Sequence, residues 1–555
     1  MVDKLPQATG NFSGQIITDF YRKNFNVSEN CYKLSVLSED AVLKIVNSIG
    51  SNKATGLDNL PAKFLKDSIN VTIGPLTHIV NLSIHSGIVP NDLKSARVVP
   101  LFKKNDKTNA GNYRPVSILS IVSKILEKAV YQQVENYLLD KNLLFENQSG
   151  FRSGFSTDTC LISLTDHIKH QSDQGFYTGM ILLDLQKAFD TVDHSILLNK
   201  MSAMGFSFST VNWFKSYLSD RIQVVDLSGT TSTIANVCCG VPQGSILGPL
   251  LFLLYVNDMQ IAVNCKLLLY ADDSALIVSG NCIGSIEQEL GLELESVSEW
   301  LIDNKLSLHL GKTEAILFGP KRKVKNAKLN VTCKGTQITS TESVTYLGAE
   351  LDSCLSGEAM ALKVLTKCNS RLKFLFRKAK YLTSHARKLL ASALVQCHLD
   401  YACCYWYNSL TLGTKNQLQA TQNRLIRFTL DLPYRANIGA EHFSKVDWLP
   451  VGLRVKQIIA TNVYRINTRS APEYMYIHFH PLNHNHYTRN SVNSYSVPHV
   501  STYGIKSFFY SGIILWNSLP ICIKNATSIK KFKTQMEKHL FNQYHQKDKN
   551  VFNFM

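Results

Sequence analysis

Residues 265–278 read CKLLLYADDSALIV, and this segment decides the fold of the 555-residue chain. It holds two short apolar runs that are separated only by Ala271, Asp272 and Asp273. Two strand-like runs joined by so short a polar link are typical of a β-hairpin. The segment therefore predicts a hairpin whose tight turn carries two adjacent carboxylates.

A third carboxylate, Asp184, follows the apolar run MILL and stands 88 positions before Asp272. A carboxylate at the end of a buried strand is costly unless a cation or hydrogen-bond donors face it. Converging carboxylates also repel one another, and divalent ions relieve that repulsion. We therefore predict that Asp184, Asp272 and Asp273 hold two divalent ions, which can activate a 3′-hydroxyl and stabilise a leaving pyrophosphate. For YADD taken alone, the less favoured alternative is an Asp-rich turn without a metal.

The elements around these carboxylates alternate between strands and helices. Residues 95–102 are typical of a short strand, and residues 120–139 of a long helix. A polar segment after Asp184, with Phe189 among its apolar members, predicts another helix. This order indicates an α+β fold in which helices pack on one face of a sheet. Further helices are expected at residues 361–380, 384–398 and 415–430.

The charge of the chain is concentrated in its last third. Residues 361–555 contain 27 Lys and Arg but only 7 Asp and Glu, whereas residues 1–360 contain 32 and 35. Basic surfaces bind nucleic acids largely through the release of condensed counterions. The distribution favours a polyanion as partner, and a generic basic domain is the alternative.

The chain shows no run of about 18 apolar residues, the length that a spanning helix needs. Its N-terminus, MVDKLPQATG, lacks the features of a secretory signal. The 13 cysteines show no zinc-type spacing, which favours reduced thiols. We expect a soluble intracellular protein, in the nucleus or the cytoplasm, that does not bind membranes.

The YADD segment, residues 270–273, resembles the catalytic box of reverse transcriptases. Six other segments resemble further motifs of that family and occur in the family's order. They are NYRPVS at 112–117, QSGFR at 148–152, DLQKAFD at 184–190, VPQGSILGP at 241–249, LSLHLGKTEAILFG at 306–319 and YLG at 346–348. The resemblance is strong over residues 50–350.

The chain is most similar to reverse transcriptases of non-LTR, LINE-type retrotransposons of the jockey or chicken-repeat kind. SNKATG at 51–56 resembles their extra N-terminal box, and WNSLP at 516–520 resembles their C-terminal region. Nothing in the sequence resembles their apurinic-type endonuclease. We therefore expect a polymerase portion whose endonuclease is supplied separately.

This resemblance implies an RNA-directed DNA polymerase of right-hand architecture. It implies an N-terminal extension at 1–88, fingers and palm at 89–352, a helical thumb at 353–440 and a basic module of open role at 441–555. Such an enzyme takes an RNA template, a DNA primer or target and dNTPs, and it uses two Mg²⁺ ions, which Mn²⁺ can replace. In the family it acts in target-primed reverse transcription.

The resemblance also assigns roles to single residues. Phe189 corresponds to the steric gate that rejects a ribose 2′-hydroxyl, with a core phenylalanine as the alternative. Gln243 and Gly244 correspond to the floor of the nucleotide pocket, where glycine lets the backbone approach the substrate. Lys312 corresponds to a lysine that can protonate the pyrophosphate, although a surface lysine is nearly as plausible.

Three cations correspond to phosphate-binding positions of the family. Arg114 and Lys104 correspond to the pair that grips the incoming triphosphate, and the choice between Lys103 and Lys104 stays open. Arg152 corresponds to a template contact, with a structural salt bridge as an equal alternative.

A basic helix after Ala361 corresponds in position to the thumb, which contacts the phosphates of the duplex product. An ordinary solvated face is the alternative. The basic residues expected to bind nucleic acid are Lys363, Lys367, Arg371, Lys373, Arg377 and Lys378.

Two other functions are compatible with the motifs. One is a catalytically silent, maturase-like or decayed polymerase fold that only binds RNA, which the intact carboxylates disfavour. The other is an RNA-dependent RNA polymerase or a telomerase-like enzyme, and the bulk of Phe189 disfavours ribonucleotides.

Overall fold

The structure is a computed structural model that describes residues 14–25, 27–28, 31–103, 105–482 and 493–545. Its strands are β1 Ser95–Phe102, β2 Tyr113–Leu119, β3 Tyr177–Leu183, β4 Arg221–Leu227, β5 Thr230–Thr231, β6 Ala235–Val237, β7 Lys266–Tyr270, β8 Asp273–Gly280, β9 Glu314–Phe318, β10 Asn330–Cys333, β11 Thr336–Thr341, β12 Ser343–Tyr346 and β13 Ala349–Asp352.

The helices of the N-terminal half are α1 Gly14–Phe25, α2 Glu39–Ser48, α3 Ala62–Asp67, α4 Ile69–Ser86, α5 Ile121–Asp140, α6 Thr157–Asp173, α7 His194–Ala203, α8 Phe208–Leu218, α9 Leu247–Val256 and α10 Ile283–Asp303. Those that follow are α11 Lys321–Val324, α12 Glu358–Lys378, α13 Ser384–Ala391, α14 Cys397–Asp400, α15 Cys403–Trp406, α16 Leu412–Leu430, α17 Ala440–Val446, α18 Val451–Asn467, α19 Phe508–Ser518, α20 Ile521–Lys524 and α21 Ile529–His545. None of these helices combines the length and the apolarity that crossing a membrane requires.

A six-stranded sheet in the order β10-β11-β9-β3-β8-β7 forms the centre of the molecule. Its pairs are antiparallel except for β11 with β9. Leu183, the last residue of β3, pairs with Ser274 near the start of β8. The end of β3 and the turn between β7 and β8 therefore lie at the same edge of the sheet.

Two smaller sheets accompany the central one. The larger has the order β2-β1-β4-β5, with β6 also paired to β4, and its β2 strand leads to the cleft described below. The smaller is the hairpin of β12 and β13. Together with the helices, these sheets make a mixed α/β protein, as the sequence predicts at this coarse level.

The central sheet is buried on both faces. Ile181 and Leu183 of β3 join a hydrophobic core formed with α1 to α5 and α7 to α10. Met180 and Leu182 of the same strand join a second core on the opposite face, formed with α6, α12, α16, α18, α19 and α21. The expectation of helices on one face only was therefore wrong, because the continuous apolar run of β3 supplies side chains to both faces.

The second core is continuous from the sheet to the C-terminal helices. It contains Leu161 of α6, Leu372 of α12, Val463 of α18 and Met536 of α21, all of which are buried. The described residues of the range 353–545 are thus packed onto the sheet rather than tethered to it. The domain boundaries at 352 and 440 stay predictions.

Most local expectations were close to the observed elements. The strand at 95–102 is confirmed as β1, the helix at 120–139 is α5, and the hairpin is β7 and β8 with a two-residue turn. The helix expected directly after Asp184 was wrong. Residues 184–193 form turns in which Lys187 has φ +47°, and α7 begins only where the Asp193 side chain accepts a hydrogen bond from the Ile196 amide.

The WNSLP segment has a structural explanation. Trp516 is fully buried in the second core, and its indole nitrogen donates to the carbonyl of Asn493 at 2.8 Å. Asn517 exchanges two hydrogen bonds with the backbone of Tyr495, at 2.9 and 2.8 Å. The segment fastens the end of α19 to the preceding loop.

Candidate active site

Three carboxylates meet at the edge of the central sheet where β3 and the β7–β8 hairpin end. Asp184 directly follows β3, and Asp272 and Asp273 lie in and after the hairpin turn. The turn is supported from behind by Gln148, whose side-chain oxygen accepts hydrogen bonds from the amides of Ala271 at 3.1 Å and Gly150 at 2.9 Å. Strand register thus brings together residues that are far apart in sequence.

Asp184 and Asp272 line one open cavity of about 530 Å³. The same cavity is lined by Lys103, Arg114, Phe189, Asp190, Gln243, His309 and Lys312. A neighbouring cavity of about 790 Å³ is lined by Asp184, Asp273 and Lys312. We call these two connected spaces the cleft, because Asp184 and Lys312 border both.

The carboxylates of the cleft repel one another. Asp273 is open to solvent on one side, but protein atoms crowd its carboxyl on the other, and this desolvation raises its pKa. The negative charges of Asp272 and Asp184 raise it further, to about 6, while Arg114 opposes the shift. Around Asp273, the repulsion from the two neighbouring carboxylates therefore outweighs the attraction of Arg114.

The donor set fits a hard divalent cation such as Mg²⁺, which prefers carboxylate oxygen. Within the residues that the structure describes, no three His, Cys, Asp or Glu side chains are gathered closely enough to form a metal cage by themselves. Magnesium at substrate-binding sites commonly uses one or two carboxylates together with water and phosphate oxygens. The carboxylates of the cleft suit that mode of binding.

Lys312 is the cation that lies next to the carboxylate of Asp184. Its Nζ lies 3.6 Å from Oδ2 of Asp184, and both side chains are accessible, at 65% and 46%. The position follows from the backbone, since the amide of His309 donates to the carbonyl of Asp184 at 2.9 Å. An exposed pair of this kind contributes little stability, so Lys312 can exchange partners when a ligand enters.

Phe189 lies at the border between the cleft and the first core. Its ring is 8% exposed, stacks on Phe252 at 4.5 Å and meets the edge of Phe151 at 6.1 Å. It also lines the cleft. Because the ring both packs into the core and lines the cleft, its position is compatible with a core residue and with a gate.

A close backbone contact explains why position 244 needs a glycine. It has φ +128°, and a Cβ atom at this position would collide with the carbonyl oxygen of Ser117 in β2. The neighbouring carbonyl of Gln243 accepts a hydrogen bond from the Ser117 amide at 2.7 Å. The structure thus supplies a different reason for glycine than close approach to a substrate.

The cations predicted for the triphosphate lie on and before β2. Arg114 is exposed and lines the cleft, where its charge lowers the pKa of Asp190 and of Asp273. Lys103 lines the cleft as well, whereas the predicted Lys104 lies outside the described residues. A lysine doublet does not reveal in sequence which member points inward, because that depends on the path of the loop.

Arg152 is bound to its own loop. Its guanidinium donates to the carbonyls of Phe145 at 2.8 Å and Gln148 at 3.1 Å, and it lies 4.1 Å from the centre of the Phe155 ring. Burial lowers its pKa to about 10. These contacts favour a structural role through backbone carbonyls, and the template contact stays a prediction.

The basic residues after Ala361 lie on α12. Its buried side faces the second core, and Lys367, Lys373, Arg377 and Lys378 are exposed, whereas Arg371 is half-buried. Lys363 differs because its Nζ forms a 2.8 Å ion pair with Glu350. The helix therefore exposes a row of positive charges. Lys363 contributes less to this row, because Glu350 partly neutralises it.

Two residues near the cleft had no predicted role. Asp190 is half-buried, and burial raises its pKa while Lys187, Lys103 and Arg114 oppose the rise. Gln148 supports the hairpin turn through its hydrogen bond with the Ala271 amide, and its second hydrogen bond holds Gly150 of its own loop. Both stand in segments that resemble motifs of reverse transcriptases, so their place in those motifs was the available signal.

Residues 102–351 match the family model described as reverse transcriptase (RNA-dependent DNA polymerase). This range contains the three carboxylates and every other side chain of the cleft named above. Together with the geometry of the site, the match shows that residues 102–351 form a reverse transcriptase domain. The match agrees with the expected enzyme class.

The relatives of the chain come from retrotransposons. It is 27% identical over 433 residues to a Drosophila melanogaster protein named "Probable RNA-directed DNA polymerase from transposon BS", covering 75% of this chain and 48% of that protein. It is 28% identical over 329 residues to the RNA-directed DNA polymerase of the mobile element jockey from Drosophila funebris, covering 57% and 35%. These relatives confirm the resemblance to non-LTR retrotransposon reverse transcriptases. The chain spans less than half the length of either relative.

Proposed function

We propose that this protein is an RNA-directed DNA polymerase that extends a DNA 3′-end on an RNA template. The observation that carries the proposal is the meeting of Asp184 with Asp272 and Asp273 at one cleft, where desolvation and then the charges of Asp272 and Asp184 raise the pKa of Asp273. Repulsion of this kind is expected where cations are to be bound. The reverse transcriptase match over residues 102–351 supports the same reaction.

In this proposal Asp184 and Asp272 hold two Mg²⁺ ions, and Asp273 assists. When bound, such ions activate the primer hydroxyl and stabilise the charge of the leaving pyrophosphate. The chain itself positions the carboxylates. The register of β3 with β8 and the hydrogen bond from the Ala271 amide to Gln148 would hold them at the sheet edge. Catalysis would come mainly from positioning and charge stabilisation.

The nucleotide would lie between the carboxylates and β2. Arg114, together with Lys103 or Lys104, would bind the triphosphate, and the exposed, cleft-lining position of Arg114 supports this. Gln243 and Gly244 would border the base or sugar. Phe189 would occupy the space next to the sugar and exclude a ribose 2′-hydroxyl. Lys312, close to Asp184, would donate a proton to the leaving pyrophosphate.

Template and product would run from the cleft along α12. We assign residues 89–352 to fingers and palm, 353–440 to a thumb, and the row Lys367, Arg371, Lys373, Arg377 and Lys378, with Lys363 beside it, to phosphate contacts. Arg152 is assigned to a separate contact with the template. The exposed positive charge of α12 supports the assignment.

The biological reaction would be target-primed reverse transcription of a retrotransposon transcript. The names of the relatives, which are mobile-element polymerases, support this role. The partners would be an RNA template, a DNA target that serves as primer, dNTPs and an endonuclease that nicks the target.

The test is incorporation of dTTP on poly(rA)/oligo(dT) with Mg²⁺. Wild type should extend the primer, and Asp272→Ala should lose extension while it still binds the template-primer. Asp92→Ala removes an exposed carboxylate that does not line the cleft and should behave as wild type.

Equal extension by wild type and Asp272→Ala would refute the metal-binding assignment. Binding of RNA by a wild-type protein that incorporates no nucleotide would favour the silent RNA-binding fold instead. Preference for rNTPs over dNTPs would favour an RNA polymerase.

A further inference from the structure

Tyr474 connects the C-terminal part of the chain to the loop behind the active site. It lies in a short 3₁₀ helix at Glu473–Met475, and its hydroxyl oxygen is 3.0 Å from Oγ of Ser149. The Tyr474 hydroxyl donates to Oγ1 of Thr159 at 3.1 Å, which leaves its oxygen free to accept from Ser149. The Tyr474 ring also meets the edge of Phe155, with centroids 5.9 Å apart.

Ser149 belongs to the loop that supports the catalytic turn, residues 145–155, which we call the bracing loop. The Ser149 amide donates to the carbonyl of Leu269 at 2.8 Å, and the Leu269 amide donates to the carbonyl of Asn147 at 3.1 Å. Gln148 accepts from the Ala271 amide at 3.1 Å. A Cβ atom on Gly150 would collide with the Ala271 nitrogen, so the loop and the turn are in direct backbone contact.

The bracing loop also carries its own internal support. Arg152 donates to two carbonyls within it and lies over the Phe155 ring that Tyr474 touches. An unbroken series of contacts therefore runs from Tyr474 through Ser149 and Gln148 to Ala271, which precedes Asp272. Ala271 has φ +57°, a conformation that a non-glycine residue adopts only when its surroundings hold it there.

The C-terminal part is fixed firmly enough to transmit this support. Buried Asp166 of α6 accepts hydrogen bonds from the amides of Phe508 and Phe509, at 3.0 and 2.9 Å. Buried Lys169 of the same helix donates to the carbonyls of Tyr405 and Lys506, each at 3.0 Å. Buried charged groups that are fully hydrogen-bonded in this way resist displacement.

We propose that Tyr474 is a positioning residue of the polymerase, which holds the bracing loop against the catalytic turn and so sets Asp272 and Asp273 relative to Asp184. The C-terminal part of the chain is then a support for the active site, in addition to any role in recognition. The catalytic consequence rests on the proposed polymerase function, whereas the support itself does not.

Tyr474→Phe in the full chain removes the hydroxyl and keeps the ring. One hydrogen bond is worth roughly a threefold to tenfold factor in an equilibrium. We expect kcat for dNTP incorporation to fall by that factor. The Mg²⁺ concentration for half-maximal activity should rise, because Asp272 and Asp273 are held less firmly in position relative to Asp184. The KM for template-primer should stay unchanged.

Tyr476→Phe is the matched control. The Tyr476 hydroxyl donates to the carbonyl of Ala471 at 2.6 Å, within its own segment and away from the bracing loop. Its loss should leave kcat and the Mg²⁺ requirement within about twofold of wild type, since the turn keeps all of its support. Equal effects of the two variants would overturn the proposal.

Ser149→Ala removes the other partner of the same hydrogen bond. The double variant with Tyr474→Phe should be no worse than Tyr474→Phe alone, because that single variant has already removed the hydrogen bond that Ser149→Ala removes. Additive losses would overturn the proposed connection.

Amide hydrogen exchange tests the support without any need for activity. Exchange at Leu269 and Ala271 should be about threefold to tenfold faster in Tyr474→Phe than in Tyr476→Phe. Unchanged exchange would overturn the proposal even in an active enzyme. Faster exchange in a chain that incorporates no nucleotide would support it while the polymerase function fails.

Discussion

The carbonyl oxygen of Ser117 occupies the space that a side chain on Gly244 would need. The contact joins β2 to the loop before α9, and the 2.7 Å hydrogen bond from the Ser117 amide to the Gln243 carbonyl reinforces it. Arg114 on β2 and Gln243 in the loop border the same cleft. Backbone contact therefore sets the distance between these two walls of the cleft, where we propose that the nucleotide binds.

Gly244→Ala should destabilise the protein and disturb this wall. At φ +128° alanine is strained, and its Cβ would also clash, so we expect the free energy of unfolding to fall by about 2–3 kcal/mol. Gly229→Ala is the control, because Gly229 has φ +91° but no atom within 4 Å of an added Cβ. Its cost should be about 1 kcal/mol, from conformation alone. Denaturant unfolding of both variants would show the difference, and equal losses would contradict the steric explanation.

Phe189→Ala should relax discrimination between dNTPs and rNTPs by about tenfold or more, since a truncated pocket rejects an added hydroxyl poorly. The control is Phe252→Ala, which removes the ring stacked on Phe189 at 4.5 Å but is not part of the cleft lining. Each truncation should cost about 3–5 kcal/mol of stability. Discrimination is measured as the ratio of kcat/KM for dTTP to kcat/KM for UTP. Because a loss of folded protein lowers both values equally, this ratio does not depend on stability. An unchanged ratio in Phe189→Ala would show that Phe189 acts only as a core residue.

Charge removal on α12 should weaken template-primer binding in proportion to the number of phosphates that the helix no longer neutralises. The double variant Lys373→Gln and Lys378→Gln removes two exposed charges, and the slope of log Kd against log salt should fall by about 1–2. Lys363→Gln should change the slope little, because Glu350 already neutralises this lysine at 2.8 Å. Binding measured by fluorescence anisotropy over a salt series checks both, and equal slopes for wild type and the double variant would exclude α12 from the interface.

His167 should make the protein less stable in acid. Burial lowers its pKa to about 3, and the positive charges of Lys266, His170 and His478 act in the same direction. Between about pH 3 and its unfolded value near pH 6.5, the unfolded chain binds the proton and the folded chain does not. The free energy of unfolding should therefore fall as pH falls, by about 2 kcal/mol between pH 6.5 and pH 5.

His167→Asn should remove most of that dependence, whereas His85→Asn, at an exposed position of α4, should keep it. Denaturant unfolding at pH 5 and pH 6.5 measures both. A dependence that persists in His167→Asn would assign it to other groups.

Several features followed from local sequence patterns alone. The apolar runs on either side of Ala271 and Asp272 predict the hairpin because strand pairing across a two-residue turn is a local event. The apolar run before Asp184 predicts β3 in the same way. The helix expected around Phe189 failed because the turn at Lys187 and the cap at Asp193 outweigh a weak apolar period.

The sequence by itself determined the chemistry: which carboxylates end strands, which cations accompany them and which family the motifs resemble. Tertiary structure decided what each residue touches. The carbonyl of Ser117 against Gly244, the hydrogen bond of Gln148 with the Ala271 amide and the contact of Tyr474 with Ser149 join positions up to 325 residues apart. Such contacts depend on how elements pack, and packing is set by side-chain fit across the whole core, which no local window of sequence contains.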